Sequence, residues 1–213
     1  MSCEVEIRGE KLVLLPDKAI YWQNDQSILL SDLHLGKAGH FRKHGIPVPA
    51  TIHFHDLIRL EEIICQTNPA NIYFLGDLFH SDINQEWDMF CEWLEKYKSI
   101  RFVLVKGNHD ILMSVHYQMS NLELVDSLHV GPFLLTHEKC LDDEHYNLSG
   151  HVHPGVGLRG VGKQGTTIPC YYFQQQFGLL PAFGNFTGLY KIRPRQTDQV
   201  FGIVENAVVN LMT

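Results

Sequence analysis

The sequence lacks most of the features that mark secreted, membrane or repeat proteins. Its five cysteines are odd in number and scattered without a C-x-x-C spacing, which argues against a disulfide framework and favours a reducing compartment. No apolar run is long enough to span a membrane, and the first residues, MSCEVEIRGEK, are acidic where a signal peptide would be basic. We therefore expect a cytoplasmic protein that does not associate with membranes.

Positive charge is also scarce. The chain has 17 Lys and Arg against 24 Asp and Glu, a net charge of −7, which argues against a generally basic surface for nucleic acid. Bound divalent ions would reverse the sign of the field locally, so the net charge excludes no phosphate substrate. No repeat or linker divides the 213 residues, and we expect one domain spanning 1–213. The oligomeric state is not decided, and a homo-oligomer stays open.

Strand-like and helix-like patterns alternate in the first half of the chain. Three short, nearly continuous apolar runs are typical of buried strands: 27–30, 71–75 and 102–105. Between them, apolar residues at helical spacing predict helices over about 51–66 and about 87–97. From about residue 122 onward, strand-like segments dominate. The pattern predicts an α/β fold with two packed sheets and helices outside them.

Side chains that can bind metal follow the predicted strands. They are Asp32, His34, Asp77, Asn108, His109, Asp110, His137, His151 and His153. Because ligands collect outside the carboxyl ends of strands in open α/β sheets, we expect these side chains to converge. Residues two apart on an extended chain face the same way, so Asp32 and His34 can point into one site. His151 and His153 have the same spacing.

The ligand types narrow the chemistry. Asp-x-His alone occurs by chance, and Gly-Asn-His-Asp can be a simple turn, but each motif here ends an apolar strand. Carboxylate, amide and imidazole groups without a thiolate suit Mn, Fe or Zn. Without His109 and Asp110, seven side chains remain, too many for one ion. A shared carboxylate would hold two ions about 3.5–4 Å apart, the arrangement used in phosphoryl displacement. The pattern therefore predicts a binuclear phosphoesterase.

At these positions the sequence resembles the calcineurin-like metallophosphoesterases. The shared motifs are DLH at 32–34, GD at 76–77, GNHD at 107–110, His137 and GHVH at 150–153. The resemblance implies a four-layer α/β/β/α sandwich and two bound divalent ions. It assigns the first ion to Asp32, His34, Asp77 and His153, and the second to Asp77, Asn108, His137 and His151. Asp77 would then bridge the two ions.

A narrower resemblance extends over most of the chain. Segments 31–37, 41–49, 76–81 and 180–188 look like the ligase-associated DNA damage response endonuclease group, often called PdeM. This resemblance implies manganese-dependent cleavage of single-stranded DNA. It also implies a functional link to the DNA ligase, helicase and nuclease of a repair cluster. The sequence departs from the group at 187–189, where Thr-Gly-Leu stands in place of a second glycine.

A mechanism can be assigned to the residues beside the ligands. A water molecule between two divalent ions loses much of its proton affinity and becomes a nucleophile near neutral pH. His109 follows the predicted ligand Asn108 and is not needed as a ligand, so it can protonate the leaving oxygen. Asp110 can orient the ring of His109. The resemblance assigns His109 the same role as an acid, while a turn histidine bonded to the backbone is the alternative.

Basic residues just beyond the ligand segments are candidates for contact with the substrate. Lys37, Arg42 and His80 could bind phosphates next to the cleaved bond. A solvated basic face explains them equally well.

The function indicated is that of a binuclear metal-dependent phosphodiesterase, a single-stranded DNA endonuclease linked to DNA repair. The active site is also compatible with a phosphoesterase that acts on a nucleotide, a lipid pyrophosphate or a phosphoprotein, because the same metals cleave many esters. A non-catalytic scaffold of the same fold is disfavoured, since every ligand position holds a competent residue.

Overall fold

The computed structural model describes residues 1–36, 52–79, 85–159, 165–185 and 187–212. Strands of the first sheet are β1 (Cys3–Ile7), β2 (Glu10–Leu14), β3 (Ile20–Trp22), β4 (Ser27–Leu30), β5 (Asn71–Leu75), β6 (Arg101–Val105) and β7 (Leu122–Val125). Strands of the second sheet are β8 (Leu128–Val130), β9 (Phe133–Thr136), β10 (Tyr146–Ser149), β11 (Pro154–Arg159), β12 (Gly165–Phe173), β13 (Phe177–Leu179), β14 (Tyr190–Lys191), β15 (Gln199–Val204) and β16 (Ala207–Asn210). The helices are α1 (Ile52–Thr67), α2 (Gln85–Lys96) and α3 (Ser114–Met119).

The first sheet has an antiparallel half and a parallel half. Its strands run in chain order from β1 to β7, with antiparallel pairs up to β4 and parallel pairs from β4 to β7. Helices α1 and α2 provide the crossovers from β4 to β5 and from β5 to β6. Parallel pairing brings the carboxyl ends of β4, β5 and β6 to the same edge of the sheet.

The parallel strands read as continuous apolar runs because both of their faces are covered. In β4, Ile28 and Leu30 pack in the cluster that contains the helices, whereas Leu29 packs in the cluster between the sheets. In β5, Phe74 faces the helices and Tyr73 faces the second sheet. Side chains alternate between the two faces of a strand, so each strand contributes to both cores.

The helices bury apolar stripes against the outer face of the first sheet. In α2, the buried positions Trp87, Phe90 and Leu94 recur at helical spacing. Its first turn carries Glu86 and its last turn carries Lys96, which suits the direction of the helix dipole. The two helices predicted from the apolar spacing are therefore confirmed, within two residues at each end.

The second sheet packs its inner face on the first sheet. Its strand order is β14-β11-β12-β13-β10-β9-β8, with β15 and β16 attached to β12. The side chains that it contributes to the core between the sheets include Phe133, Leu135, Tyr146, Leu148, Tyr171, Phe173 and Phe201. The prediction of an α/β fold with two packed sheets and outer helices is confirmed.

The outer face of the second sheet is covered by a smaller cluster. Cys170, Tyr172 and Val200 are buried there, against Leu211 and Met212 near the end of the chain. The sequence resemblance implies four layers. The described residues form three of them, namely the layer of helices that packs on the first sheet and the two sheets themselves. Along the same residues, no helix is long and apolar enough to cross a membrane.

A buried tyrosine links the two sheets through hydrogen bonds. Tyr171 of β12 is fully buried, and its single hydroxyl hydrogen is shared between Leu15 O at 2.7 Å and Ala19 O at 2.8 Å. Both carbonyls belong to the turn between β2 and β3. Leu15 O also accepts the backbone N–H of Lys18 at 3.1 Å, and Ala19 O also accepts the backbone N–H of Leu15 at 2.9 Å. The hydroxyl therefore adds to a turn that is already hydrogen-bonded.

We expect Tyr171→Phe to lower the free energy of unfolding by about 1–2 kcal/mol, because the two buried carbonyls lose one donor but keep another. Urea unfolding monitored by circular dichroism measures the change. Tyr190→Phe is the matched control, since Tyr190 is 66% exposed and should change stability by less than about 0.5 kcal/mol. Equal stability of the two variants would show that the Tyr171 hydroxyl does not link the sheets.

Candidate metal centre

The loops that carry the predicted ligands meet at one edge of the molecule. They follow β4, β5, β6, β9 and β10 at the carboxyl ends of these strands. Within the first sheet, Asp32 N–H donates to Gly76 O at 3.1 Å, and within the second sheet Gly150 N–H donates to His137 O at 3.1 Å. Between the sheets, His151 N–H donates to Asp32 Oδ2 at 3.0 Å. The predicted side chains do lie close together.

Most of the predicted ligands have an unusual backbone conformation. The torsion φ is positive at Asp32 (53°), His34 (51°), Asp77 (51°), His151 (64°) and His153 (51°). A left-handed backbone costs an L-residue about 1–2 kcal/mol, so the surrounding contacts must hold it in place. The sequence pattern predicts an extended chain for 32–34 and 151–153, and the positive φ angles show that this prediction is wrong. These side chains reach the site through left-handed turns, and His151 and His153 join different groups.

The first group consists of Asp32, His34 and His153. Their potential ligand atoms all lie within 4.8 Å of one another, and His153 Nε2 is 3.2 Å from Asp32 Oδ1. Asp32 is fully buried. Burial acts to raise the pKa of Asp32, but the contact with His153, the nearby His137 ring and the Ser31 hydroxyl outweigh it and lower the pKa. The surroundings thus favour the carboxylate.

The second group consists of Asp77, His137 and His151. Its ligand atoms also lie within 4.8 Å of one another. His137 Nε2 is 3.5 Å from Asp77 Oδ1 and 3.1 Å from His151 Nδ1. His137 Nδ1 donates to Leu75 O at 2.9 Å, since a carbonyl oxygen can only accept. In a neutral ring this leaves the lone pair on Nε2, the nitrogen that faces the group.

Asp77 lies between the two groups. Its Oδ2 is 4.0 Å from His34 Nε2 in the first group, and its Oδ1 is 3.5 Å from His137 Nε2 in the second. Oδ1 also accepts the backbone N–H of His109 at 2.9 Å. Asp77 as a whole is 3% exposed, so its carboxylate is almost completely shielded from solvent. The bridging of two ions by Asp77, which the resemblance implies, stays a prediction.

The residues of both groups fit a pair of divalent ions. Two ligand atoms about 2.1 Å from one ion and about 90–110° apart lie roughly 3.0–3.4 Å from each other. The closest pairs here are 3.1, 3.2 and 3.5 Å apart. Asp32, His34, Asp77 and His137 are buried together, a cost that a cation would offset. Carboxylate and imidazole ligands without thiolate suit Mn, Fe or Zn.

Asn108 lies beside the second group together with a residue that the sequence did not indicate. Asn108 Nδ2 donates to Glu138 Oε1 at 3.0 Å, and the same oxygen is 3.9 Å from His151 Nε2. The hydrogen bond from Asn108 and the charge of His151 lower the pKa of Glu138. Glu138 directly follows the predicted ligand His137, and this adjacency was the only signal in the sequence.

His109 lies beside the first group and is exposed. Its ring centroid is 5.9 Å from that of His34, and the planes of the two rings are inclined at 65°. Its backbone N–H is held by Asp77 Oδ1, as described above. The ring therefore lies at the open side of the centre, where a substrate can reach it.

Asp110 joins two of the loops through their backbones. Its carboxylate accepts the N–H of Gly107 at 2.8 Å, of Leu78 at 2.9 Å and of Phe79 at 3.1 Å. Burial raises the pKa of Asp110 although these N–H groups act against the shift. Its observed contacts fix the position of 107–110 against 76–79. The orientation of the His109 ring by Asp110 stays a prediction.

Two glycines allow these loops to approach each other. At Gly76, where φ is +82°, an added Cβ would overlap the His137 ring. At Gly107, an added Cβ would overlap the backbone of Asp77. A side chain at either position would push a predicted ligand away. The remaining predicted residues, Lys37, Arg42 and His80, lie outside the described residues.

A charged cluster behind the centre was also missed by the sequence reasoning. Arg59 of α1 forms an ion pair with Asp56 at 3.1 Å and lies 4.0 Å above the centre of the Phe183 ring. Its guanidinium also donates to Phe183 O. Asn185 Nδ2 donates to Asp56 Oδ1 at 2.8 Å. These contacts fix 183–185 on helix α1.

The segment fixed in this way supports the first predicted ligand. Phe183 N–H donates to Ser31 O at 2.8 Å, and Gly184 N–H donates to Asp32 O at 3.1 Å. Ser31 also forms an isolated parallel bridge with Ala182. Helix α1 therefore holds the strained backbone of Asp32 through an intermediate loop. The cluster combines residues far apart in sequence, so no local pattern could reveal it.

The calcineurin-like phosphoesterase family model matches residues 27–202, and the chain belongs to that family. It is accordingly a metal-dependent enzyme that hydrolyses phosphoester bonds. The structure is similar to that of nuclease MPE from Pseudomonas putida, with a TM-score of 0.83 and 29% sequence identity over 99% of this chain and 100% of that one. The family resemblance and the fold that it implies are thereby confirmed.

A second solved structure is more distant. Yfce, a phosphoesterase from E. coli, has a TM-score of 0.43 and 15% identity over 87% of this chain and 98% of its own. No curated protein sequence matches the chain.

We expect Asp77→Ala to bind at most one ion per chain, because Asp77 is the carboxylate that faces both groups. Hydrolysis of any phosphoester should fall by more than about 10- to 100-fold, which is the loss typical of removing a residue that only hydrogen-bonds a metal ligand. Elemental analysis of the metal-loaded protein measures the first effect. The exposed Asp143→Ala is the control and should keep both ions. Two ions and full activity in Asp77→Ala would contradict the bridging role.

Proposed function

We propose that this protein is a binuclear metal-dependent phosphodiesterase that cuts single-stranded DNA as an endonuclease. The observation that carries the proposal is the position of Asp77, whose two oxygens face the two ligand groups separately. The similarity to nuclease MPE over nearly the whole chain supports a nucleic acid as the substrate. The sequence resemblance to the ligase-associated endonuclease group supports a single strand and manganese.

The proposed ligands are shared between the two ions. Asp32, His34, Asp77 and His153 would hold the first ion, and Asp77, Asn108, His137 and His151 the second. Bound there, the ions supply a nucleophilic water near neutral pH and offset the negative charge of the phosphate. Glu138 holds Asn108 Nδ2 and thereby leaves the amide oxygen for the ion. We propose Mn²⁺ as the native metal, with Fe or Zn compatible with the same side chains.

His109 is proposed as the general acid. It is exposed at the open side of the centre, and its backbone N–H is bonded to the bridging carboxylate at 2.9 Å. The backbone of His109 is therefore held beside the proposed ligands, and its exposed ring lies on the side from which a phosphodiester could approach. A proton delivered from this ring to the leaving oxygen would release an alkoxide as a neutral hydroxyl.

The setting of the reaction follows from the narrower resemblance. We propose that the protein acts in the cytoplasm with the DNA ligase, helicase and nuclease of a repair cluster. We also propose that 1–213 form one domain, which the family match over 27–202 and the core shared by both sheets support.

Manganese-loaded protein is expected to cut circular single-stranded DNA, which has no ends and so separates an endonuclease from an exonuclease. A duplex circle should be cut more slowly, because its stacked helix cannot bend as readily into the centre. Gel electrophoresis of both circles, with Asp77→Ala as the inactive control, measures this. The proposal fails if the single-stranded circle stays intact while a nucleotide, a lipid pyrophosphate or a phosphoprotein is hydrolysed.

His109→Ala is expected to bind both ions but to cut DNA about 10²- to 10⁴-fold more slowly, the usual loss on removing a general acid. Hydrolysis of bis-p-nitrophenyl phosphate should fall far less, because p-nitrophenolate leaves without a proton. Rates on both substrates and metal content test this, with His153→Ala as a variant expected to lose metal and both activities. Equal losses on both substrates in metal-replete His109→Ala would show that His109 positions the phosphate instead.

A further inference from the structure

A surface segment leads away from the candidate metal centre along the edge of the second sheet. It starts beside the loop that supports Asp32, and Tyr190 N–H donates to the carbonyl of His153 at 3.0 Å. Ile192 N–H then donates to Gly155 O at 2.9 Å. Between them, β14 pairs in parallel with β11, and β14 is the last strand at this edge. The segment is thus fixed to the backbone of a predicted ligand.

The segment carries a local concentration of positive charge in an acidic protein. Lys191, Arg193 and Arg195 are all exposed, whereas Ile192 between them is buried. Three cations within five residues contrast with a net charge of −7 for the chain. Among the described residues, neither Lys191 nor Arg193 has an ion-pair partner. Their charges therefore face solvent uncompensated.

Asp198 is the acidic residue beside this segment, and its carboxylate is already occupied. It accepts the Arg195 N–H at 2.8 Å, the Tyr172 hydroxyl at 2.6 Å and Gln174 Nε2 at 3.1 Å. Asp198 is 5% exposed. It fixes the turn that ends the segment by accepting the backbone N–H of Arg195. Among the described residues, the side chains of Lys191 and Arg193 take no part in this hydrogen-bond network.

Lys191 is positioned by a glycine in the neighbouring strand. A Cβ on Gly157 would lie 2.7 Å from Lys191 Cε and 3.0 Å from Nζ, so the lysine stem lies directly over the glycine. The same lysine lines a surface cavity of about 170 Å³ with Thr166 and Thr167. The ammonium group therefore lies against the sheet beside Thr166 and Thr167, and an ammonium is a donor that suits a phosphate.

An exposed aromatic ring lies at the end of the segment nearest to the centre. Tyr190 is 66% exposed and its neighbour Leu189 is 40% exposed. Aromatic faces next to cationic side chains are the features that bind single-stranded nucleic acids, because bases stack on the ring while the cations follow the backbone. In a duplex the faces of the bases are covered by their neighbours and cannot stack in this way.

We infer that Tyr190, Lys191 and Arg193 bind the strand on one side of the cleaved bond, with a base stacked on Tyr190 and phosphates on the two cations. The inference rests on the proposed function and adds the path that a single strand follows from the metal centre. Lys191 and Arg193 act as electrostatic contacts that do not depend on base sequence. Tyr190 supplies the preference for unpaired bases.

A double variant in which both positive charges are reversed, Lys191→Glu with Arg193→Glu, separates binding of the strand from chemistry at the metal centre. On a single-stranded oligonucleotide, kcat/KM should fall at least about tenfold at low salt. The slope of log kcat/KM against log salt should become shallower by about 1.4, since each phosphate contact on a single strand contributes about 0.7. Hydrolysis of bis-p-nitrophenyl phosphate, which reaches only the centre, should stay unchanged and shows that the variant is folded and loaded with metal.

The matched control reverses two exposed cations at the opposite edge of the first sheet. Arg8 lies in the turn before β2, and Lys98 precedes β6. The ion pair of Lys98 with Glu95 is exposed and contributes little to stability. Arg8→Glu with Lys98→Glu makes the same change in net charge, so a general electrostatic effect would appear in both double variants. We expect the control to cut DNA like the unmodified protein.

Tyr190 is tested by a pair of substitutions. Tyr190→Ala should weaken binding of the oligonucleotide by about 5- to 150-fold, the range for loss of one base–aromatic stack, whereas Tyr190→Phe should bind normally. If the unmodified protein cuts single strands and both the charge reversal and Tyr190→Ala cut them equally well, this inference alone is overturned. If the unmodified protein hydrolyses the small diester but neither binds nor cuts single strands, the proposed function and this inference fail together.

Discussion

The contact between the two sheets is the interaction on which the candidate centre depends. In the first group, Asp32 follows a strand of the first sheet and His153 follows a strand of the second. In the second group, Asp77 comes from the first sheet and His137 from the second. Neither sheet alone could assemble either group. The apolar side chains between the sheets thus fix the distances between carboxylates and imidazoles, although none of them takes part in the chemistry.

Short loops then convert this packing into a tight arrangement of polar atoms. Left-handed turns direct the side chains inward, and glycine at 76 and 107 lets neighbouring backbones approach without a Cβ in between. Main-chain hydrogen bonds, the carboxylate of Asp110 and the cluster around Arg59 offset the conformational cost. The centre is therefore held from behind by structure that contacts no substrate, which is the preorganisation that precise ligand geometry requires.

The order of the parallel strands and of the candidate ligand side chains was predictable because each buried parallel strand leaves a continuous apolar run followed by a polar residue. The conformation of the loops was not, since asparagine, aspartate and histidine adopt left-handed turns without a distinct local pattern. The sequence pattern does not indicate Glu138 and Arg59, and the reason is different. Their roles depend on partners at 108 and 183, which only the folded chain brings near. Strands β1 to β3 are short and partly exposed, so their apolar signal is weak.

Each candidate ligand group contains residues from both sheets. Ion binding would therefore be coupled to the free energy of unfolding. An ion held by residues from both sheets would bind the native chain much more tightly than the unfolded one. At a free concentration a hundredfold above its Kd, such an ion adds about 2.7 kcal/mol to the free energy of unfolding. A cell depleted of that ion would expose the unfolded chain to proteases about a hundred times more often. Metal scarcity would therefore reduce the amount of this protein as well as its turnover rate.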